Sequence, residues 1–204
     1  MGIAKDLFDI IIKIAEFVKN GHIDNVVDRK NFFNDHIDPA FQNMEKIHAD
    51  YLKNFTTLLR IKNKEEFTTE KIIDWLIAKK TDFQINSDRV LKIETEVFKN
   101  GYFSKSFNKQ TAISEYTLQF LNDITSYFND GIFLDKMTWY SYLIQGFETS
   151  LFNQDREPGK PAGVPFFIEK KKDVFKTIEN TVGIIKSKYD FIVESYSNLR
   201  GLCL

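Results

Sequence analysis

Cysteine, proline and glycine are all scarce in this sequence. Its 204 residues include 1 Cys, 4 Pro and 9 Gly. The single cysteine, Cys203, excludes a disulfide within the chain and favours a reducing compartment. Long stretches without proline or glycine favour long helices over short strands and tight turns.

Charge of one sign is also lacking, because 28 basic and 29 acidic residues leave a net charge of −1. This balance gives no strong signal for nucleic acid or for acidic lipid. The most apolar stretch, Ile10 to Val18, is interrupted by Lys13 and Glu16, so the sequence predicts neither a transmembrane segment nor a secretory signal. We expect a cytoplasmic protein. The abundance of Lys, Asn, Ile and Phe is typical of an AT-rich genome, which indicates a microbial source.

The first of two long predicted helices covers about residues 25–61. Asp38 as the cap and Pro39 at the first helical position look like a second helix start within it, so this rod either is kinked at Pro39 or consists of two helices in line. From Ile37 onward, apolar residues alternate in steps of four and three, which is a heptad pattern. Its members are Ile37, Phe41, Met44, His48, Tyr51, Phe55 and Leu58.

The second long predicted helix covers about residues 167–199 and follows a loop at 155–165 that holds three of the four prolines. Its heptad positions are Phe175, Ile178, Val182, Ile185, Tyr189, Ile192, Tyr196 and Leu199. Ile184 and Phe191 add a further apolar line, which predicts contact with at least two neighbouring helices. We therefore predict an all-α bundle of about seven helices that forms one domain over residues 1–204. Its predicted middle helices include an apolar one around Trp139.

Few residues suit catalysis or metal binding, because the chain has only 3 histidines. Glu45 and His48 have the Glu-x-x-His spacing of di-iron bundles, but no second such pair exists. We expect no metal and no cofactor. His48 is expected to be a hydrogen-bonded core residue whose pKa is lowered by burial. Together with Tyr51 and Tyr189, it is also a candidate binding residue on the apolar helix faces.

One segment, from Arg29 to His36, resembles the Arg-x(4–6)-His motif of the HEPN superfamily, whose all-helical members include metal-independent ribonucleases. The resemblance implies that Arg29 and His36 would bind phosphate and activate a ribose 2′-hydroxyl. Histidine supplies acid–base chemistry near neutral pH, and arginine stabilises the charge that develops on phosphorus. The alternative is a solvent-facing Arg29 and a His36 that lies at a helix end beside Asp38.

Three classes of function remain open. The heptad patterns favour a non-catalytic interaction or assembly protein, an accessory or adaptor subunit that binds a protein partner or itself through helix faces. The first alternative is a HEPN-like ribonuclease that uses Arg29 and His36. The second is a bundle that binds a hydrophobic ligand or a membrane surface, for which the predicted amphipathic helix at Ile3 to Lys19 is a candidate element.

Overall fold

The computed structural model describes residues 3–20, 26–61, 68–82, 112–128, 139–140, 142–144 and 171–204. Six α-helices lie in these ranges: α1 (Ile3–Asn20), α2 (Val26–Phe32), α3 (Asp38–Arg60), α4 (Thr69–Asp82), α5 (Ala112–Phe128) and α6 (Lys171–Cys203). Residues 139–140 and 142–144 are helical as well, and no strand occurs in the described ranges. The predicted all-α fold is confirmed.

The N-terminal rod is helical from Val26 to Arg60, but a π-helical turn, Phe33–Ile37, separates α2 from α3. The Asp38 N–H bonds to the carbonyl of Phe33, five residues earlier, which is the π spacing. Pro39 has no N–H to donate to the carbonyl of Asp35, so the regular i to i−4 hydrogen-bond pattern of the α-helix is interrupted at this point. The predicted interruption near Pro39 therefore takes the form of a π turn inside a continuous rod.

The predicted capping role of Asp38 is wrong. Ile37 and Asp38 both have right-handed helical backbone angles and no side-chain cap hydrogen bond forms at Ile37, so α3 continues directly from the π turn. The carboxylate of Asp38 instead accepts hydrogen bonds from Gln42 Nε2 at 2.7 Å and from the Tyr196 hydroxyl at 2.7 Å. A residue that looked like a helix start therefore links α3 to α6.

The C-terminal helix runs from Lys171 to Cys203, about one turn later at both ends than predicted. The segment 155–165, predicted to be a loop, lies outside the described residues. Thr68 Oγ1 accepts a hydrogen bond from the N–H of Lys71 at 3.4 Å and so caps α4.

The core lies among α1, α3, α5 and α6. Among the described helices, α5 and α6 share the most extensive contact, and α3 packs against both α1 and α6. Phe55 of α3 and Ile185 of α6 are fully buried, as their heptad positions predicted. Of the described residues in the apolar helix around Trp139, the fully or nearly buried ones are Trp139, Tyr140 and Leu143. Among the described residues, no helix combines the length and the apolarity that crossing a bilayer requires.

Candidate functional site

The candidate site is built on two ring stacks between α3 and α6. His48 lies face to face with Tyr189, with ring centroids 3.9 Å apart and planes 5° apart. Phe41 stacks in the same way on Tyr196, at 3.9 Å and 10°. From the first stack to the second, the residue number falls by seven on α3, from His48 to Phe41, and rises by seven on α6, from Tyr189 to Tyr196. The two helices therefore run antiparallel here. The stacks fix the register of the two longest helices.

His48 carries the polar chemistry of this region. Its Nδ1 lies 3.1 Å from the hydroxyl of Tyr127 on α5, and the side chain is only 8% exposed. Burial lowers the pKa of His48 to about 4; the negative charge of Asp190 opposes this shift, and Lys186 adds to it. The imidazole is therefore neutral near pH 7 and joins α3 to α5 through one hydrogen bond.

Next to His48 lie three fully buried tyrosines, Tyr51, Tyr127 and Tyr140. The Tyr51 ring centroid lies 5.0 Å from that of Tyr140 and 6.4 Å from that of Tyr127. Burial raises the pKa values of Tyr51 and Tyr127 well above the usual value, so both hydroxyls stay protonated. We call His48, Tyr51, Tyr127, Tyr140 and Tyr189 the aromatic cluster.

Asn54 connects the aromatic cluster to the surface. Its Nδ2 donates to Tyr140 Oη at 2.8 Å and to Asp50 Oδ2 at 3.0 Å. By contrast, the indole Nε1 of Trp139 is buried without a hydrogen-bond partner, although its ring packs edge-on against Tyr127 at 5.9 Å. An unpaired buried donor costs about 1–3 kcal/mol, so ring packing must offset it here.

The chemistry of the aromatic cluster is that of a structural core. A general base must reach its substrate, and a nucleophile must be activated by a neighbouring base. Here the histidine is nearly buried, and burial keeps the hydroxyls of Tyr51 and Tyr127 protonated. No group of three or more His, Cys, Asp or Glu side chains in the described part of the chain is placed to hold a metal ion.

The structure brings together all three of the predicted binding residues. His48 and Tyr189 are in direct contact, and Tyr51 joins them through Tyr127. The sequence analysis did not single out Tyr127. Its contribution to the cluster was missed because its partner His48 lies 79 residues away. The only available signal was a general one: the hydroxyl of a buried tyrosine usually has a hydrogen-bond partner.

Arg29 and His36 interact with different parts of the fold. The charge of Arg29 acts on Cys203 near the end of α6, where burial raises the pKa of the thiol and Arg29 opposes that shift. Arg29 Nε is buried without a hydrogen-bond partner. His36 instead packs against Phe17 of α1, with ring centroids 5.4 Å apart. Arg29 thus faces α6, whereas His36 faces α1.

The π turn explains this divergence. Residues seven apart on an uninterrupted α-helix lie on nearly the same side, but Phe33–Ile37 follows a different spacing. The pKa of His36 is lowered by partial burial, with Asp35 opposing the shift and Lys13 adding to it. No hydrogen bond or ion pair among the described residues joins Arg29 to His36.

No protein-family model, curated protein or solved structure matches this chain. Its function must therefore be argued from its own residues, since an all-α bundle by itself implies no particular activity.

Proposed function

We propose that this protein is a non-catalytic helical interaction protein, an accessory or adaptor subunit of a larger assembly in the cytoplasm of a microbial cell. The observation that carries the proposal is the exposure of Phe191. This side chain on α6 is 56% exposed, although the apolar line that it shares with Ile184 predicted a neighbouring helix. Exposed apolar patches mark surfaces that a partner covers, and Val193 and Leu202 of the same helix are exposed as well.

The closed aromatic cluster supports the same proposal. Its buried tyrosines and the pKa of about 4 at His48 suit a rigid scaffold better than a substrate site. The separation of Arg29 from His36 gives the ribonuclease alternative no support from geometry.

The experiment isolates the full chain, tagged and expressed at its natural level, from its own cells under gentle lysis. Light scattering then gives the molar mass of the native material and of the purified recombinant chain. The proposal expects a larger native species that contains a second protein in a fixed molar ratio. A native chain with the same mass as the isolated chain would contradict it.

A further inference from the structure

The surface beside Phe191 is defined by the antiparallel pairing of α5 and α6. Lys188 Nζ on α6 donates to the carbonyl of Ser126 on α5 at 2.7 Å. Asp123 on α5 also lies close enough to Ser195 on α6 for the serine hydroxyl to oppose the rise in pKa that burial causes at the carboxyl. Since Asp123 precedes Ser126 while Ser195 follows Lys188, the helices run in opposite directions. The same register places Tyr116, seven residues before Asp123, opposite Leu202, seven residues after Ser195.

Three large apolar side chains are exposed along this pairing. Phe191 is 56% exposed, Tyr116 is 37% exposed and Leu202 is 36% exposed. Phe191 lies one helical turn from both Lys188 and Ser195, which contact α5, so its ring stands beside the α5–α6 contact.

Two carboxylates lie within this apolar surface. Asp123 is only 8% exposed and accepts a 2.7 Å hydrogen bond from Gln119 Nε2. Burial raises the pKa of Asp123, and the nearby charge of Glu194 raises it further. Among the described residues, no lysine or arginine pairs with either carboxylate. We call Tyr116, Asp123, Phe191, Glu194 and Leu202 the α5–α6 surface.

Ser195 adds no positive charge to this surface. Its Oγ lies 3.1 Å from the carbonyl of Phe191 and 3.2 Å from that of Ile192, both on its own helix. A cation brought by a partner would pair with Glu194 and place a favourable charge near Asp123.

We propose that the α5–α6 surface binds an amphipathic helix of another protein, one that carries a lysine or arginine between two apolar residues. This inference rests on the proposed function and names the chemistry of the partner. Phe191 and Leu202 are eleven residues apart, or about 16 Å along α6, and Glu194 is one turn from Phe191. A parallel partner helix therefore needs apolar residues eleven apart, with its basic residue three or four positions after the first.

A second copy of this chain is a poor occupant of the same surface. A two-fold contact would place Asp123 and Glu194 of one copy against the same residues of the other, and like charges repel. An acidic lipid surface is disfavoured for the same electrostatic reason.

The test uses two fluorescent 18-residue helical peptides with leucine at positions 4 and 15. One has lysine at positions 7 and 8, and the other has glutamate there. We expect the full chain to bind the lysine peptide at least about tenfold more tightly than the glutamate peptide, as measured by fluorescence anisotropy. Phe191→Ala should weaken this binding, whereas Val193→Ala, a matched change on an exposed residue of the same helix, should not.

Charge reversal gives the sharpest outcome. Glu194→Lys should invert the preference, so that the glutamate peptide becomes the tighter ligand. Equal affinity for the two peptides, wild-type binding by Phe191→Ala, or no inversion would each overturn the inference. So would a concentration-dependent dimer, or binding to phosphatidylglycerol vesicles, that Phe191→Ala abolishes. A native assembly that survives both α5–α6 variants would leave the proposed function intact and reject only this surface.

Discussion

Tyr196 on α6 donates a 2.7 Å hydrogen bond to Asp38 on α3, directly after the π turn of the N-terminal rod. The ring of Tyr196 also stacks on Phe41, one turn further along α3. Burial and the hydrogen bond to Asp38 raise the pKa of the Tyr196 hydroxyl to about 12. One side chain therefore holds α3 and α6 together through both a polar and an aromatic contact.

Removing only the polar contact should have a measurable cost. Tyr196→Phe keeps the stack on Phe41 but deletes the hydroxyl, so we expect the free energy of unfolding in urea to fall by about 1–2 kcal/mol. Tyr116→Phe is the matched control, because Tyr116 is exposed and should change stability by less than about 0.5 kcal/mol. Equal stability of the two variants would show that the Asp38 bond contributes nothing net.

His48 should make stability fall with acid. Its pKa is about 4 in the folded protein and 6.5 when unperturbed. Above pH 6.5 the imidazole is neutral in both states and contributes no pH dependence. As the pH falls below 6.5, the unfolded chain binds the proton first. The fold therefore loses up to about 3 kcal/mol by the time the pH reaches 4, and no more below that.

The variant His48→Phe isolates this contribution from that of the carboxylates. It keeps a ring against Tyr189 but cannot titrate, so it should be less stable than wild type at pH 7, where Tyr127 loses its partner. The difference in unfolding free energy between wild type and His48→Phe should then become smaller as the pH falls from 6.5 to 4. Unfolding curves across this range, together with the proton resonances of His48, provide the measurement. A gap that stays constant, or a His48 that titrates near 6.5, would contradict the prediction.

Replacing a core phenylalanine and a surface phenylalanine with alanine should lower the stability of the protein by very different amounts. Phe55→Ala opens a cavity beside Tyr51 and Tyr140 and should cost about 3–5 kcal/mol. Phe191→Ala removes a ring that is 56% exposed and should cost far less. Thermal unfolding of both variants is the measurement, and similar losses at the two positions would mean that Phe191 is packed in solution.

Spacing within one helix was enough to predict the inner faces of α3 and α6, because burial repeats with the helical period. Spacing could not reveal that Tyr127 meets His48, since that contact depends on how α5 is placed in the bundle. The π turn was equally hidden: Pro39 shows that one backbone bond is lost, but not how the chain accommodates the loss. For Phe191, the helical period identified an apolar position, but it could not show whether the element that packs on this ring belongs to this chain or to another protein.

The ribonuclease alternative makes a prediction of its own, which we expect to fail. A HEPN-like site needs Arg29 and His36 to converge on one phosphate, yet Arg29 lies near Cys203 and His36 lies against Phe17. Burial also lowers the pKa of His36, so less of the acid form is present near neutral pH than at an exposed histidine.

We therefore expect the purified chain, with EDTA present, to cleave a labelled single-stranded RNA no faster than a buffer control. His36→Ala and Arg29→Ala should leave that background unchanged. Cleavage by the wild type that disappears in both variants would show that the two side chains meet on the substrate, and it would replace the scaffold proposal with an enzymatic one.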